Sequence, residues 1–99
     1  PVIEANSRAL RRQSANHPCL AKYRMIEEAF SPRSKVVGKG LAQVIRALVT
    51  DLRLPGLRYW GVTREAIPDL VEKSRGGSMR YNPVELGDEE LATIIEAAL

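Results

Sequence analysis

One histidine and one cysteine in 99 residues leave little material for metal or covalent chemistry. A metal site needs several His, Cys, Asp or Glu side chains converging on one point. His17 and Cys19, with Pro18 between them, do not close one. His17 has no serine or carboxylate beside it in sequence to form a nucleophile and base pair, and a histidine before a proline reads as a polar boundary residue. The single cysteine excludes an intrachain disulfide, so a reducing, cytoplasmic compartment is expected. Aromatic residues make up only 5% of the chain, too few for a base-stacking surface. No apolar run approaches the roughly 20 residues of a membrane helix, and no signal-peptide pattern opens the chain, so no membrane partner is expected. No stretch alternates apolar and polar residues long enough to call for a sheet. A strand–GxGxxG–helix unit is absent too, and the GKG triplet at 38–40 lacks the spacing and preceding strand of a phosphate loop.

What is present is an ordinary balance of 44% hydrophobic and 27% charged residues, enough for one helical domain over 1–99. The formal charge of +3 divides unevenly. Residues 1–50 hold nine Lys/Arg and three Asp/Glu, or +6; residues 51–99 hold six and nine, or −3. A basic half attracts polyanions, but no nucleic-acid-binding motif accompanies the charge, and nucleic acid is not an expected partner.

Helical spacing recurs along the chain. In residues 1–14, Val2, Ile3, Asn6 and Leu10 share one side. A helix opening near Pro18 carries Leu20, Tyr23, Ile26, Glu27 and Phe30 on one face and stops at Ser31–Pro32, before a basic loop at 31–35. The clearest helix, 35–54, has a broad stripe of Val37, Leu41, Val44, Ile45, Leu48 and Leu52 and is expected at the centre of the core. Gly38 and Gly40 lie inside that span, where they suggest close approach of a neighbouring backbone. Leu57, Trp60 and Val62 are expected to pack as a plug. In GVTREAIPDLVEKS (61–74) the proline forbids one continuous helix. We expect a turn opening at Thr63 as N-cap and a second helix opening near Pro68, with Asp69 and Glu72 in its first turn. Gly76–Gly77 reads as a left-handed helix stop. A last helix opens around Gly87–Asp88 with Glu89 and Glu90 in its first turn and Leu91, Ile94, Ile95 and Ala98 as its apolar face. The fold class is therefore all-α, a bundle of five or six mostly short helices. Between the last two helices, the polar loop SMRYNP (78–83) is the one segment that reads either as a functional cleft or as a plain surface connection.

The run LPGLRYWGVTREAIPDLVEKSRGGSMRYNPVELGDEELATIIEAAL, 54–99, resembles the C-terminal end of the iron-containing alcohol dehydrogenase family. The shared features are a leucine-proline turn, a GV-T-x-x-x-I-P-x-L-V-E-K run, a loop ending in N-P, an acidic helix start and a final A-L. Gly87 departs from the family's usual Ser or Thr cap, and Ser74 from its usual Ala. More loosely, PVIEAN and HPCLAKYRMIEEAF are similar to two upstream helices, so the likeness spans nearly all of the chain and is strong over about half.

The resemblance implies the distal part of the family's helical C-terminal domain. Full-length members are NAD- or NADP-dependent alcohol or aldehyde oxidoreductases that hold Fe2+ or Zn2+ through an aspartate and three histidines. Those ligands and the nucleotide-binding domain precede the point matching Pro1, and His17 matches none of them. No catalytic, cofactor-binding or metal residue is therefore expected in this chain, which would be inactive alone. Ser78, Met79 and Asn82 are implied as lining the substrate cleft. Implied partners are the missing N-terminal part of the enzyme or a second copy. The alternative is a stand-alone helical interaction module that self-associates to cover apolar surface.

Overall fold

The computed structural model describes residues 1–30 and 40–99. The expected stop at Ser31–Pro32, the basic loop, Val37 and Gly38 lie outside the described residues. Among the described residues the fold is all-α, with five α-helices and no strand: α1 Val2–Gln13, α2 Pro18–Phe30, α3 Leu41–Asp51, α4 Ile67–Ser74 and α5 Asp88–Glu96. Single 3-10 turns at Leu57–Trp60, Arg64–Ala66 and Gly77–Tyr81 make corners between them. None of the described helices is long and apolar enough to cross a membrane.

The chain divides into two compact units. A terminal unit combines Pro1–Asn6 with Pro55–Leu99; a central unit comprises Ser7–Leu54. The division falls within α1.

In the central unit, Ala9, Leu10, Leu41 and Val44 are buried. His17 does more than mark a boundary: its Nδ1 accepts a hydrogen bond from the Cys19 N–H (3.2 Å), so the ring caps the first turn of α2. That helix packs on α3 but buries none of its residues fully. The expected start of α3 is corrected at Gly40, whose φ of +93° is open to glycine and not to a helix; it stands before the helix, which runs from Leu41. A Cβ at Gly40 would meet nothing within 4 Å, so this glycine serves conformation rather than close approach. Its N–H donates to Glu27 Oε1 (2.9 Å), tying the C-terminal half of α2 to the start of α3. The α3 stripe is central to the core only in its first half. Leu41 and Val44 are 6% and 4% exposed, but Leu48 and Leu52 on the same stripe are 39% and 59% exposed.

In the terminal unit, the Thr63–Pro68 corner forms as two pieces. The 3-10 turn Arg64–Ala66 runs directly into α4, and Pro68 sits in the first turn of α4, where its missing N–H costs no helical bond. Asp69 is in that first turn and pairs with Lys73 (2.7 Å); Glu72 lies beyond it, because α4 opens at Ile67. Thr63 stands at the cap position in extended backbone but bonds no backbone N–H with its side chain. The neighbouring Glu65 carboxyl is held below its usual pKa, first by the Thr63 side chain, then by its own backbone N–H and, least, by the Arg64 charge.

The close backbone approach expected at Gly40 occurs instead at Gly56. A Cβ there would stand 2.7 Å from the Leu99 carbonyl oxygen, next to the Leu57 N–H to Ala98 C=O hydrogen bond (2.8 Å). This contact closes the segment after Leu54 onto the end of α5. Trp60 does not plug the corner. It is 71% exposed, with Tyr59 edge-on to it at 5.1 Å, while Leu57 and Val62 are half-buried. The left-handed helix stop expected at Gly76–Gly77 is corrected: α4 ends at Ser74 with Arg75 right-handed and Gly76 extended, and the left-handed Gly77 (φ +56°) opens the next 3-10 turn. At the start of α5 the Gly87 N–H donates to Glu90 Oε2 (3.0 Å), so the carboxylate three residues on supplies a cap that glycine has no side chain to give.

Candidate functional site

The loop singled out in sequence, 78–83, is anchored by a residue that gives no functional signal in sequence. Asn6, on α1, is 3% exposed and the only buried polar residue among those described. Its amide pairs reciprocally with Asn82: Asn6 Nδ2 donates to Asn82 Oδ1 at 2.7 Å, and Asn82 Nδ2 donates to Asn6 Oδ1 at 2.8 Å. Asn82 Nδ2 also donates to the Val84 carbonyl at 2.6 Å. A buried amide left unpaired costs about 1–3 kcal/mol, so this matched pair holds the loop to α1 across 76 residues of sequence. Sequence reading placed Asn6 on the apolar side of α1, and that placement was the only available hint. Val2, assigned to the same side, is 41% exposed; the buried face is Ala5, Asn6, Ala9 and Leu10.

The chain then runs inward. Val84 and Leu86 are 6% and 2% exposed and are flanked by exposed Pro83, Glu85 and Gly87. This alternation locks residues 82–87 into the unit without a strand. Arg75 holds the far end. Its Nη1 donates to the Leu86 carbonyl (3.3 Å), and its Nε donates to Asp88 Oδ1 (3.1 Å), which its Nη2 also bonds. Asp88 raises the guanidinium's pKa, first through those hydrogen bonds and then through its charge.

Between the 3-10 turn Gly77–Tyr81 and the Val84–Leu86 segment lies an open cavity of about 320 Å³, walled by Arg75, Arg80 and Glu85 with Met79, Asn82 and Leu91. Of the three expected cleft residues, Met79 and Asn82 reach it, whereas Ser78 is exposed and is not among the lining residues. Met79 offers an apolar surface. Asn82 has its amide committed to Asn6 and Val84, so it shapes the wall. Arg80 and Glu85 are exposed lining groups of opposite sign. The volume and mixed lining suit a small polar molecule.

Nothing in the cavity sets a nucleophile beside a base. Among the described residues no group of three or more His, Cys, Asp and Glu side chains comes together to hold a metal ion. The residues present therefore do not fit the Fe2+ or Zn2+ that the family resemblance implies for a whole enzyme. No protein-family model, curated protein or solved structure matches this chain.

Proposed function

We propose that this chain is the distal part of the helical C-terminal domain of an iron-containing alcohol dehydrogenase. It supplies one wall of a substrate cleft, and the hydride donor and the metal belong to the remainder of such an enzyme. The observation that carries the reading is the anchored loop. The N-P motif that ends it supplies Asn82, which is fixed by Asn6, while Met79 and Asn82 line the cavity beside it. A loop built to present a wall needs such anchoring, since a misplacement of about 1 Å costs roughly a hundredfold in a reaction that depends on positioning. The all-helical fold and the two-piece Thr63–Pro68 corner accord with the same reading.

Two assays test it. The chain with NAD or NADP, Fe2+ or Zn2+ and simple alcohols should show no turnover; robust turnover overturns the non-catalytic reading. A chimera carrying residues 54–99 in place of the matching tail of a full-length family enzyme should fold and turn over alcohol. A folded chimera without turnover overturns the family assignment.

A second reading is favoured by one specific observation. Met25, Ile26 and Phe30 on α2, and Leu48, Val49 and Leu52 on or at the end of α3, are exposed, which suits a helical interaction module. Self-association is the simplest way for such a module to cover them.

A further inference from the structure

The cavity of the terminal unit is lined by two opposite charges that no described side chain engages. Of its three charged lining groups, Arg75 is already occupied. Its Nε and Nη2 bond Asp88 Oδ1 and its Nη1 bonds the Leu86 carbonyl, so Asp88 offsets its charge. Arg80 and Glu85 remain. Among the described residues, neither of these side chains makes a hydrogen bond or an ion pair, with the other or with a third residue. Asp88 raises the Arg75 pKa most and the Glu85 charge adds to it least, so Glu85 is near Arg75 without being its partner.

Both groups stand on held backbone. Arg80 belongs to the 3-10 turn Gly77–Tyr81, which closes with the Asn82 N–H donating to the Met79 carbonyl (3.1 Å). Glu85 lies between Val84 and Leu86, both of which face inward. The wall between the charges is apolar: Val84 and Leu91 are buried and Met79 is half-buried.

This arrangement separates ligand classes. A simple anion gains at Arg80 and is repelled at Glu85; a simple cation meets the reverse. A neutral alcohol leaves both charges to water. A zwitterion gains at both, and a guanidinium suits a carboxylate in particular, because its planar fork matches the two oxygens. At about 320 Å³ the cavity has room for about ten water-sized volumes, enough for a short carbon body with a charged group at each end.

We propose that this cavity binds a small aliphatic zwitterion, an amino-carboxylate such as a free amino acid. Its carboxylate sits on Arg80, its ammonium on Glu85 and its carbon body against Met79, Val84 and Leu91. The proposal names the ligand class of the cleft wall described above and rests on that wall facing a small-molecule site; it requires neither metal nor nucleotide.

The test uses the full chain, isotope-labelled for NMR, and two sets of compounds. Leucine is compared with isoamylamine and isocaproate, and ε-aminohexanoate with pentylamine and hexanoate. In each set the second compound lacks the carboxylate and the third lacks the ammonium, and the two sets hold the charges close together and far apart. At least one zwitterion should give saturable shifts confined to residues 75–91, with millimolar affinity because both charges are exposed to solvent. Its two single-charge analogues should bind roughly fivefold or more weakly, and salt should narrow the gap. Arg80→Gln should level the zwitterion with its amine analogue, and Glu85→Gln should level it with its carboxylate analogue. Both side chains are exposed, so circular dichroism should be unchanged in either variant. Arg58→Gln removes an exposed cation outside the cavity and should change nothing. A single-charge analogue that binds as well as its zwitterion overturns the proposal, as does an equal loss with Arg58→Gln and Arg80→Gln. No saturable shift with any of the six compounds also overturns it; if the chimera carrying residues 54–99 then turns over alcohol, the enzyme reading stands without it. Zwitterion binding beside a folded but inactive chimera supports the ligand class and overturns the family assignment.

Discussion

In the terminal unit the buried side chains come from four places along the chain: Ala5 and Asn6 of α1, Val71 of α4, Val84 and Leu86 of the inward-running loop, and Leu91 of α5. Among the described residues of the central unit they come from two, Ala9 and Leu10 of α1 and Leu41 and Val44 of α3. The terminal unit is also joined by polar contacts between distant segments: Asn6 with Asn82, Leu57 with Ala98, Arg64 with Glu96 (2.7 Å) and Arg75 with Asp88. The surface ion pairs among these contribute little, because solvent screens them. The buried amide pair and the apolar loop residues contribute most, because nothing else can satisfy or cover them. One unit closes its core with short irregular segments. The other has long, regular amphipathic helices and leaves half of its best stripe open. Regularity of pattern and completeness of burial are therefore separate properties in this chain.

The largest expected difference between the units is in truncation of leucines. Leu86→Ala should destabilise the protein by about 2–5 kcal/mol, whereas Leu52→Ala should stay within about 0.5 kcal/mol, both read from urea denaturation. Comparable losses would show that the α3 stripe is covered in the isolated chain. Next in size is the amide pair. Asn6→Ala and Asn82→Ala should each cost about 1–3 kcal/mol, and a double-mutant cycle should show them strongly coupled rather than additive. Independent effects would mean that α1 does not anchor the loop.

The two glycines sharpen the comparison further. Gly56→Ala should cost about 1–3 kcal/mol because its methyl group meets the Leu99 carbonyl. Gly40→Ala should cost a similar or smaller amount, about 1–2 kcal/mol, because of its φ alone. A D-alanine placed by synthesis at position 40 should be tolerated, because a D-residue favours the positive φ found there.

The smallest effect is one of pH. The Thr63 hydroxyl holds the Glu65 carboxyl below its unfolded value of 4.5. A depressed acid contributes its stabilisation fully above the unfolded value and loses it as pH falls through the folded one. Thr63→Ala should therefore move the NMR titration midpoint of Glu65 upward, with little change in stability at neutral pH. An unmoved midpoint would remove the hydrogen bond from the account.

Much of the fold was legible because helical spacing and its punctuation act locally. Pro18, Pro68 and Gly87–Asp88 place helix starts, and the structure has them within a residue or so. Errors arose where a residue's surroundings rather than its neighbours in sequence decided the outcome. Trp60 is apolar enough to plug a corner, but its ring lies in solvent, edge-on to Tyr59. Thr63 has the chemistry of a helix cap and stands at the cap position, yet its side chain makes no cap bond. Of the candidate site, the loop 78–83 stood out because it is polar and punctuated by proline, while Met79 and Asn82 within it were implied only by the family resemblance. Asn6 could not, since a buried amide looks like a surface amide until its partner is known.

The sequence by itself determined that the described chain is helical, where most of its helices start, and that positive charge gathers in residues 1–50. These follow from backbone geometry and formal charge, which depend on few neighbours. Only the tertiary structure decided that the α3 stripe is buried at Leu41 and Val44 and exposed at Leu48 and Leu52, that Asn6 and Asn82 pair, and that Gly56 rather than Gly40 admits a neighbouring backbone. Each of these depends on which distant groups share one small volume, and residue order alone does not specify that.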